Sequence, residues 1–106
     1  MTYFDCSEDI MQIVYLEADV NYTIYHFFNG KKIILPTTLK RHEAKENLRH
    51  FLRVHRSFLL NPDYIIGMRK EGKKVSIQMV NGKEVLVSRR KKPIIKHLKK
   101  QQFLIA

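Results

Sequence analysis

The sequence predicts a mainly β domain in which small antiparallel sheets pack together, with one short helix near 39–48 and a C-terminal helix near 93–100. Two features lead to this prediction. Short stretches of β-branched and aromatic residues recur along the chain, and two Asn-Gly pairs stand between such stretches. Asn-Gly indicates a hairpin because both residues tolerate the positive φ angles of a type I′ turn. The chain has 106 residues, which is the size of one domain, so residues 1–106 are expected to fold as a single unit.

The first part of the chain predicts three successive strands. Met11–Ala18 is rich in β-branched and aromatic residues and forms the first expected strand. The second strand is predicted over Tyr22–Phe28, where Tyr22, Ile24, His26 and Phe28 alternate with Thr23, Tyr25 and Phe27. Asn29-Gly30 then predicts a type I′ turn, after which Lys31–Leu35 returns as the third strand.

A short helix is expected next. Thr37 or Thr38 can cap the N-terminus of a helix that runs over Leu39–Leu48. Helical spacing places Ala44 and Leu48 on an apolar face of this helix, while its charged residues face solvent.

The second part of the chain predicts further strands and the C-terminal helix. The expected strands are Phe51–Leu60, as one strand or a bent pair, then Tyr64–Met68, Val75–Val80 and Lys83–Val87. Asn81-Gly82 predicts a second type I′ turn. Pro93 suits the first position of the C-terminal helix, where its missing N–H leaves no hydrogen bond unmade.

Charge is distributed unevenly along the chain. There are 20 Lys and Arg residues against 10 Asp and Glu, and residues 1–19 hold acids but no Lys or Arg. Between Arg89 and Lys100 there are seven bases and no acid. Such a run is either a solvated face or a surface for a polyanion. Because the basic excess extends over most of the chain, we expect a nucleic acid partner, and an anionic membrane surface is a weaker alternative.

Enzymatic, metal-binding and membrane-spanning classes find no support in the sequence. The five histidines are scattered without metal-ligand spacing, and no glycine-rich phosphate loop occurs. The single cysteine, Cys6, lies among acids, which disfavour a reactive thiolate. No apolar run approaches the ~18 residues that cross a bilayer, and no secretory signal is present. We therefore expect a cytoplasmic protein with no catalytic residue, metal, cofactor or small-molecule substrate.

Residues 51–61 are the most informative stretch. Within it, the apolar Leu52, Val54 and Phe58 interleave with four polar residues, which are Arg53, His55, Arg56 and Ser57. This pattern places hydrogen-bond donors on a rigid backbone, and an Arg held in that way can direct two donors at a guanine edge. The alternative is an exposed polar strand face. A second basic cluster over Val87–Lys92 follows a strand end in the same manner.

Four segments together resemble the LytTR DNA-binding domain of bacterial transcriptional regulators. They are Ile13–Thr23, Thr38–Lys40, Phe51–Asn61 and Gly82–Arg90, so the resemblance covers roughly residues 11–100. The resemblance implies a mostly β fold that inserts loop residues into successive major grooves of a direct-repeat operator. Family members usually carry an N-terminal receiver or sensor. The sequence leaves open whether this response regulator-like chain is a stand-alone regulator or part of a longer one.

The resemblance also implies which residues contact DNA. Base contacts are expected from Asn21 or Tyr22, from Arg56 and from Arg89. The residues expected to support these contacts or to bind phosphates are His55, Ser57, Arg53, Arg90, Lys91 and Lys92. Double-stranded DNA is the expected partner, with self-association of two copies on direct repeats. The alternative function is an RNA-binding β module that stacks unpaired bases on sheet aromatics.

Overall fold

A computed structural model describes residues 10–88 of the chain and shows two antiparallel sheets, which confirms the predicted fold class. The strands are β1 (Ile13–Asp19), β2 (Tyr22–Phe27), β3 (Lys32–Leu35), β4 (Leu52–His55), β5 (Phe58–Leu60), β6 (Ile65–Glu71), β7 (Lys74–Met79) and β8 (Glu84–Leu86). Residues 10–88 also contain one α-helix, α1 (Leu39–Glu43), and three short 3-10 turns, at Ile10–Gln12, Glu46–Leu48 and Pro62–Tyr64. The predicted helix near 93–100 lies outside the described residues.

The five-stranded sheet, sheet A, has the strand order β3-β2-β1-β5-β4, and the three-stranded sheet, sheet B, has the order β6-β7-β8. Helix α1 and the 3-10 turn at Glu46–Leu48, together called the helical segment, cover one face of sheet A, and sheet B covers part of the other face. The core on the helical side comprises Ile13, Leu16, Tyr25, Phe27, Leu39, Leu48, Phe51 and Leu59. The core between the sheets includes Val14, Tyr15, Val54, Leu60, Met68, Ile77, Met79 and Val85.

Strand β1 contributes to both cores because its side chains alternate between the two faces of sheet A. Its register with β2 shifts between Ile13 and Tyr15, and Val14 and Tyr15 both lie in the core between the sheets. The shift is a β-bulge, which disturbs the regular hydrogen bonding at that point. Buried Asn61 compensates: its side-chain amide donates to the Ile13 carbonyl over 2.7 Å, and its backbone N–H donates to the Val14 carbonyl. The carbonyls of Ile13 and Val14 therefore both have hydrogen-bond partners at the bulge.

Helix α1 is shorter than the predicted helix over 39–48. It ends at Glu43, and Lys45 adopts an extended conformation with φ −67° and ψ 138° before the 3-10 turn begins. A continuous helix would place residues nine positions apart about 180° from each other, so Leu39 and Leu48 would face opposite directions. The break at Lys45 lets both leucines pack against sheet A, and it leaves Ala44 exposed instead of on the buried face.

Both Asn-Gly hairpins form as predicted, but neither turn is of type I′. Among residues 10–88, Val20 is the only non-glycine residue with positive φ, so the asparagines do not adopt the left-handed conformation. In the first turn Gly30 has φ 89°, its N–H donates to Phe27, and the Asn29 side chain accepts from the Lys31 N–H. The second turn repeats these bonds. Both match a type I turn followed by a left-handed glycine, a loop one residue longer than type I′.

The stretch from residue 51 to residue 60 is a bent pair of strands, one of the two predicted alternatives. Arg56 and Ser57 form the turn between β4 and β5. None of the helices between residues 10 and 88 has the length and apolarity that a bilayer crossing requires.

A buried histidine joins α1 to sheet A. His42 is 1% exposed, its Nδ1 lies 2.6 Å from the Tyr25 hydroxyl, and its Nε2 hydrogen-bonds the Thr37 hydroxyl. A neutral imidazole offers one donor and one acceptor, and a hydroxyl can take either role, so the neutral ring is fully satisfied. Burial, and to a smaller extent the charge of Lys45, lower the pKa of His42 from 6.5 to about 4.

His42 is expected to make the fold acid-sensitive. Its folded pKa of about 4 lies below the ordinary value of 6.5, so protons bind preferentially to the unfolded chain. The stabilisation is complete above about pH 6.5 and decreases as the pH falls towards 4, with a loss on the order of 2 kcal/mol by pH 4.5. Urea denaturation at pH 7.5 and 4.5 measures this loss.

The comparison of two variants isolates the contribution of His42. His42→Gln should show a smaller decrease in unfolding free energy between the two pH values than the wild type. His50→Gln, which removes an exposed histidine, should behave like the wild type. Equal pH dependence in the wild type and His42→Gln would contradict the prediction.

Candidate nucleic-acid interface

Two turns and the beginning of α1 meet at one end of sheet A. They are the β1–β2 turn at Val20-Asn21 and the β4–β5 turn at Arg56-Ser57, with Thr38–Lys40 beside them. We call the space between them the reading cleft. Its lining residues are Ala18, Val20, Thr38, Leu39, Lys40, Arg53, Arg56 and Ser57. Three of these carry positive charge, so the cleft is suited to an anionic partner.

Pairing of β1 with β5 fixes the two turns relative to each other. Glu17 pairs with Phe58, and the Ala18 N–H donates to the Ser57 carbonyl over 2.8 Å. Asn21 lies in the β1–β2 turn and Tyr22 is the first residue of β2, and both are exposed. The structure therefore places two of the expected base-contacting regions at the same end of one sheet.

Arg53 holds the β4–β5 turn from within. Its Nε donates to the His55 carbonyl over 2.9 Å and its Nη2 donates to the Arg56 carbonyl over 2.5 Å. Its Nη1 forms an ion pair with Glu43 of α1 at 2.6 Å. The Arg53 side chain is only 16% exposed, so its guanidinium acts mainly as a bridge between the helix and the turn.

His55 also stabilises this turn. Its Nδ1 accepts a hydrogen bond from the Ser57 N–H over 3.1 Å, and its ring packs edge-on against Phe58. Arg56 itself is exposed, and its guanidinium has no partner among residues 10–88. The turn therefore combines a fixed backbone with a free guanidinium at its tip.

The remaining expected contacts lie at the end of the chain. Arg89, Arg90, Lys91 and Lys92 are outside the described residues. The described chain ends at Ser88, whose N–H donates to the Val54 carbonyl of β4 over 2.9 Å. Ser88 is thus joined to the strand that leads into Arg56. No group of His, Cys, Asp or Glu side chains in the described part of the chain could hold a metal ion.

Sequence patterns do not identify three residues that lie in or beside the reading cleft. Helical spacing assigns Lys40 only to a solvated face, and nothing local to Glu43 indicates its partner ten residues away. Turn patterns do not identify Val20, because its neighbour Asn21 is the residue type that usually adopts positive φ in a turn. The structure instead gives Val20 a φ of 54° and leaves 87% of it exposed.

Comparisons with known proteins agree with this architecture. The family model of the LytTr DNA-binding domain matches residues 6–100. A solved structure described as the LytTr DNA-binding domain of a putative methyl-accepting/DNA response regulator from Bacillus cereus is similar, with a TM-score of 0.69 and 24% identity over 84% of this chain and 82% of that chain. At that identity the solved structure shows the fold alone. A search of the curated proteins found no match.

The backbone of Val20 predicts an unusual response to substitution. Positive φ at the first of two turn residues indicates a type II′ turn, in which glycine is favoured and a β-branched residue is strained by ~1–3 kcal/mol. Val20→Gly removes this strain, and glycine's greater freedom in the unfolded chain offsets part of the gain. We expect the unfolding free energy to rise by about 1 kcal/mol in urea denaturation.

Val80→Gly is the matched control. Val80 is an exposed turn residue with negative φ, so glycine relieves nothing there and should lower the stability. A lower stability of Val20→Gly than of the wild type would refute the strain at Val20.

Proposed function

Because the chain belongs to the LytTr DNA-binding domain family, whose members serve transcriptional regulators, we propose that it is a sequence-specific regulator that reads double-stranded DNA. In this proposal the β1–β2 and β4–β5 turns enter the major groove of a direct-repeat operator, and two copies occupy the repeats. The protein acts in the bacterial cytoplasm. Its family is a DNA-binding family and not a catalytic one, so no reaction is proposed.

The observation that carries the proposal is the fixed turn that presents Arg56. Arg53 and His55 together make three hydrogen bonds to the backbone of residues 55–57. An Arg can direct two parallel donors at O6 and N7 of guanine, and a fixed backbone beneath a free guanidinium favours such a directed contact. The geometry supports base reading by Arg56 better than it supports simple attraction to phosphates.

Neighbouring side chains complete the proposed contacts. The amide of Asn21 is able to pair with N6 and N7 of adenine, and exposed Tyr22 stands beside it. Lys40 lies on the wall of the reading cleft, where a single flexible charge suits a phosphate. On the resemblance alone, we assign a base contact to Arg89, and phosphate contacts to Arg90, Lys91 and Lys92.

The RNA-binding alternative is less well supported. Tyr25 and Phe27, which would stack bases, are buried against the helical segment. Exposed Tyr22 and Phe28 lie at opposite ends of β2, roughly 20 Å apart at 3.3 Å per residue. The ring of Phe28 is moreover stacked on Tyr64. The described sheets therefore offer no continuous aromatic surface for unpaired bases.

Residues that contact bases and residues that contact phosphates should respond differently to mutation. A preferred operator is first selected from random duplexes, and each variant is titrated at fixed salt against that operator and a scrambled duplex. Arg56→Ala should cost about 1–3 kcal/mol on the operator and flatten the preference at one or two base pairs. Lys40→Ala should weaken binding to both duplexes alike, since a phosphate contact carries no sequence information.

Lys31→Ala removes the same charge at the opposite end of sheet A and serves as the control for net charge. If Arg56→Ala loses equal affinity for operator and scrambled DNA, Arg56 holds the backbone and base reading at this turn is refuted.

Arg53 should act on recognition through the turn that it holds. Arg53→Lys keeps the positive charge but cannot bond Glu43 and both turn carbonyls at once, so the turn should open more often. We expect faster exchange of the Ser57 amide hydrogen, and a loss of operator affinity comparable to that of Arg56→Ala. Unchanged Ser57 exchange together with unchanged affinity would contradict this assignment.

A further inference from the structure

Val20 combines two features that its own domain does not explain. It is the most exposed large hydrophobic residue in the described chain, at 87%, and its backbone has a positive φ that is unfavourable for a β-branched side chain. The strain opposes stability, and within residues 10–88 the Val20 side chain belongs to neither core. A strained residue held by surrounding structure is a reason to look for a function at that position.

Val20 lies in the wall of the reading cleft. Val20 lines the same cleft as Arg56 and Ser57, and the hydrogen bond from Ala18 to Ser57 lies two residues before it. Other highly exposed apolar residues, such as Ile34 on β3, do not line this cleft. A molecule that enters this cleft beside Arg56 is therefore able to contact the side chain of Val20.

The chemistry of the major groove limits what that contact is. Base edges there present hydrogen-bond donors and acceptors, and the only apolar group among them is the 5-methyl group of thymine. Valine is stiff at χ1, so it loses little rotamer freedom when it binds. We propose that Val20 is a specificity-determining residue that packs on the 5-methyl group of a thymine adjacent to the base read by Arg56. This inference rests on the proposed function, since it requires both turns to lie in the major groove.

Replacement of thymine by deoxyuridine removes this methyl group and changes nothing else in the base pair. In the selected operator, each thymine is replaced singly and the wild type is titrated against each duplex at fixed salt. We expect one position per half-site at which affinity falls about fourfold, the effect of one buried methyl-sized group. Val20→Gly should bind the thymine and deoxyuridine duplexes equally.

Misfolding does not confuse this test, because Val20→Gly is expected to be at least as stable as the wild type. Ile34→Ala, which removes an exposed apolar side chain away from the cleft, should keep the wild-type discrimination. The inference is overturned, with the proposed function intact, if the wild type binds its operator but discriminates at no thymine. It is also overturned if Val20→Gly keeps the wild-type ratio of affinities for the thymine and deoxyuridine duplexes, whether or not its affinity for both decreases. A wild type that prefers no duplex sequence refutes the proposed function itself.

Discussion

Strand β1 pairs with β5 over Tyr15–Glu17, and both cores and the reading cleft depend on this pairing. At one end of the pair, Asn61 donates hydrogen bonds to the carbonyls of Ile13 and Val14, which supplies partners to β1 at its bulge. At the other end, Ala18 bonds Ser57 and fixes the distance between two turns that are far apart in sequence. A register shift in this pair would disturb packing and site geometry at once.

The ion pair and hydrogen bonds of Arg53 restrict the position of the β4–β5 turn more than they stabilise the fold. An ion pair with an exposed partner, such as Arg53 with Glu43, adds at most about 1 kcal/mol of stability. The same guanidinium nevertheless binds two carbonyls of one turn and a side chain of another element, so it restricts how the turn can move. Such restriction matters more for a base contact than for a phosphate contact, because hydrogen bonds to base edges require a defined direction.

Local patterns predict most of the fold and part of the candidate site. Alternation and Asn-Gly pairs locate the hairpins, and the interleaving of polar with apolar residues around Arg56 indicates a site from the sequence alone. The predicted turn type is wrong because the first loop has three residues, in which only Gly30 adopts positive φ, and the Asn29 side chain accepts a hydrogen bond from Lys31. The predicted helix boundary is wrong because two leucines nine residues apart must both reach one sheet. These outcomes depend on tertiary packing, which a local pattern does not contain.

The charge of the chain attracts DNA but does not by itself distinguish sequences. The formal net charge of +10 favours association with any polyanion, and attraction of this kind is shared by all duplexes. Several bases are also committed within the protein: Arg53 bonds Glu43, and Lys83 lies over the ring of Phe58 at 5.2 Å. The count of basic residues therefore overestimates the number of DNA contacts. In the proposed function, specificity comes from the few exposed side chains that project from fixed turns, and Arg56 and Val20 lie on two such turns at one end of sheet A.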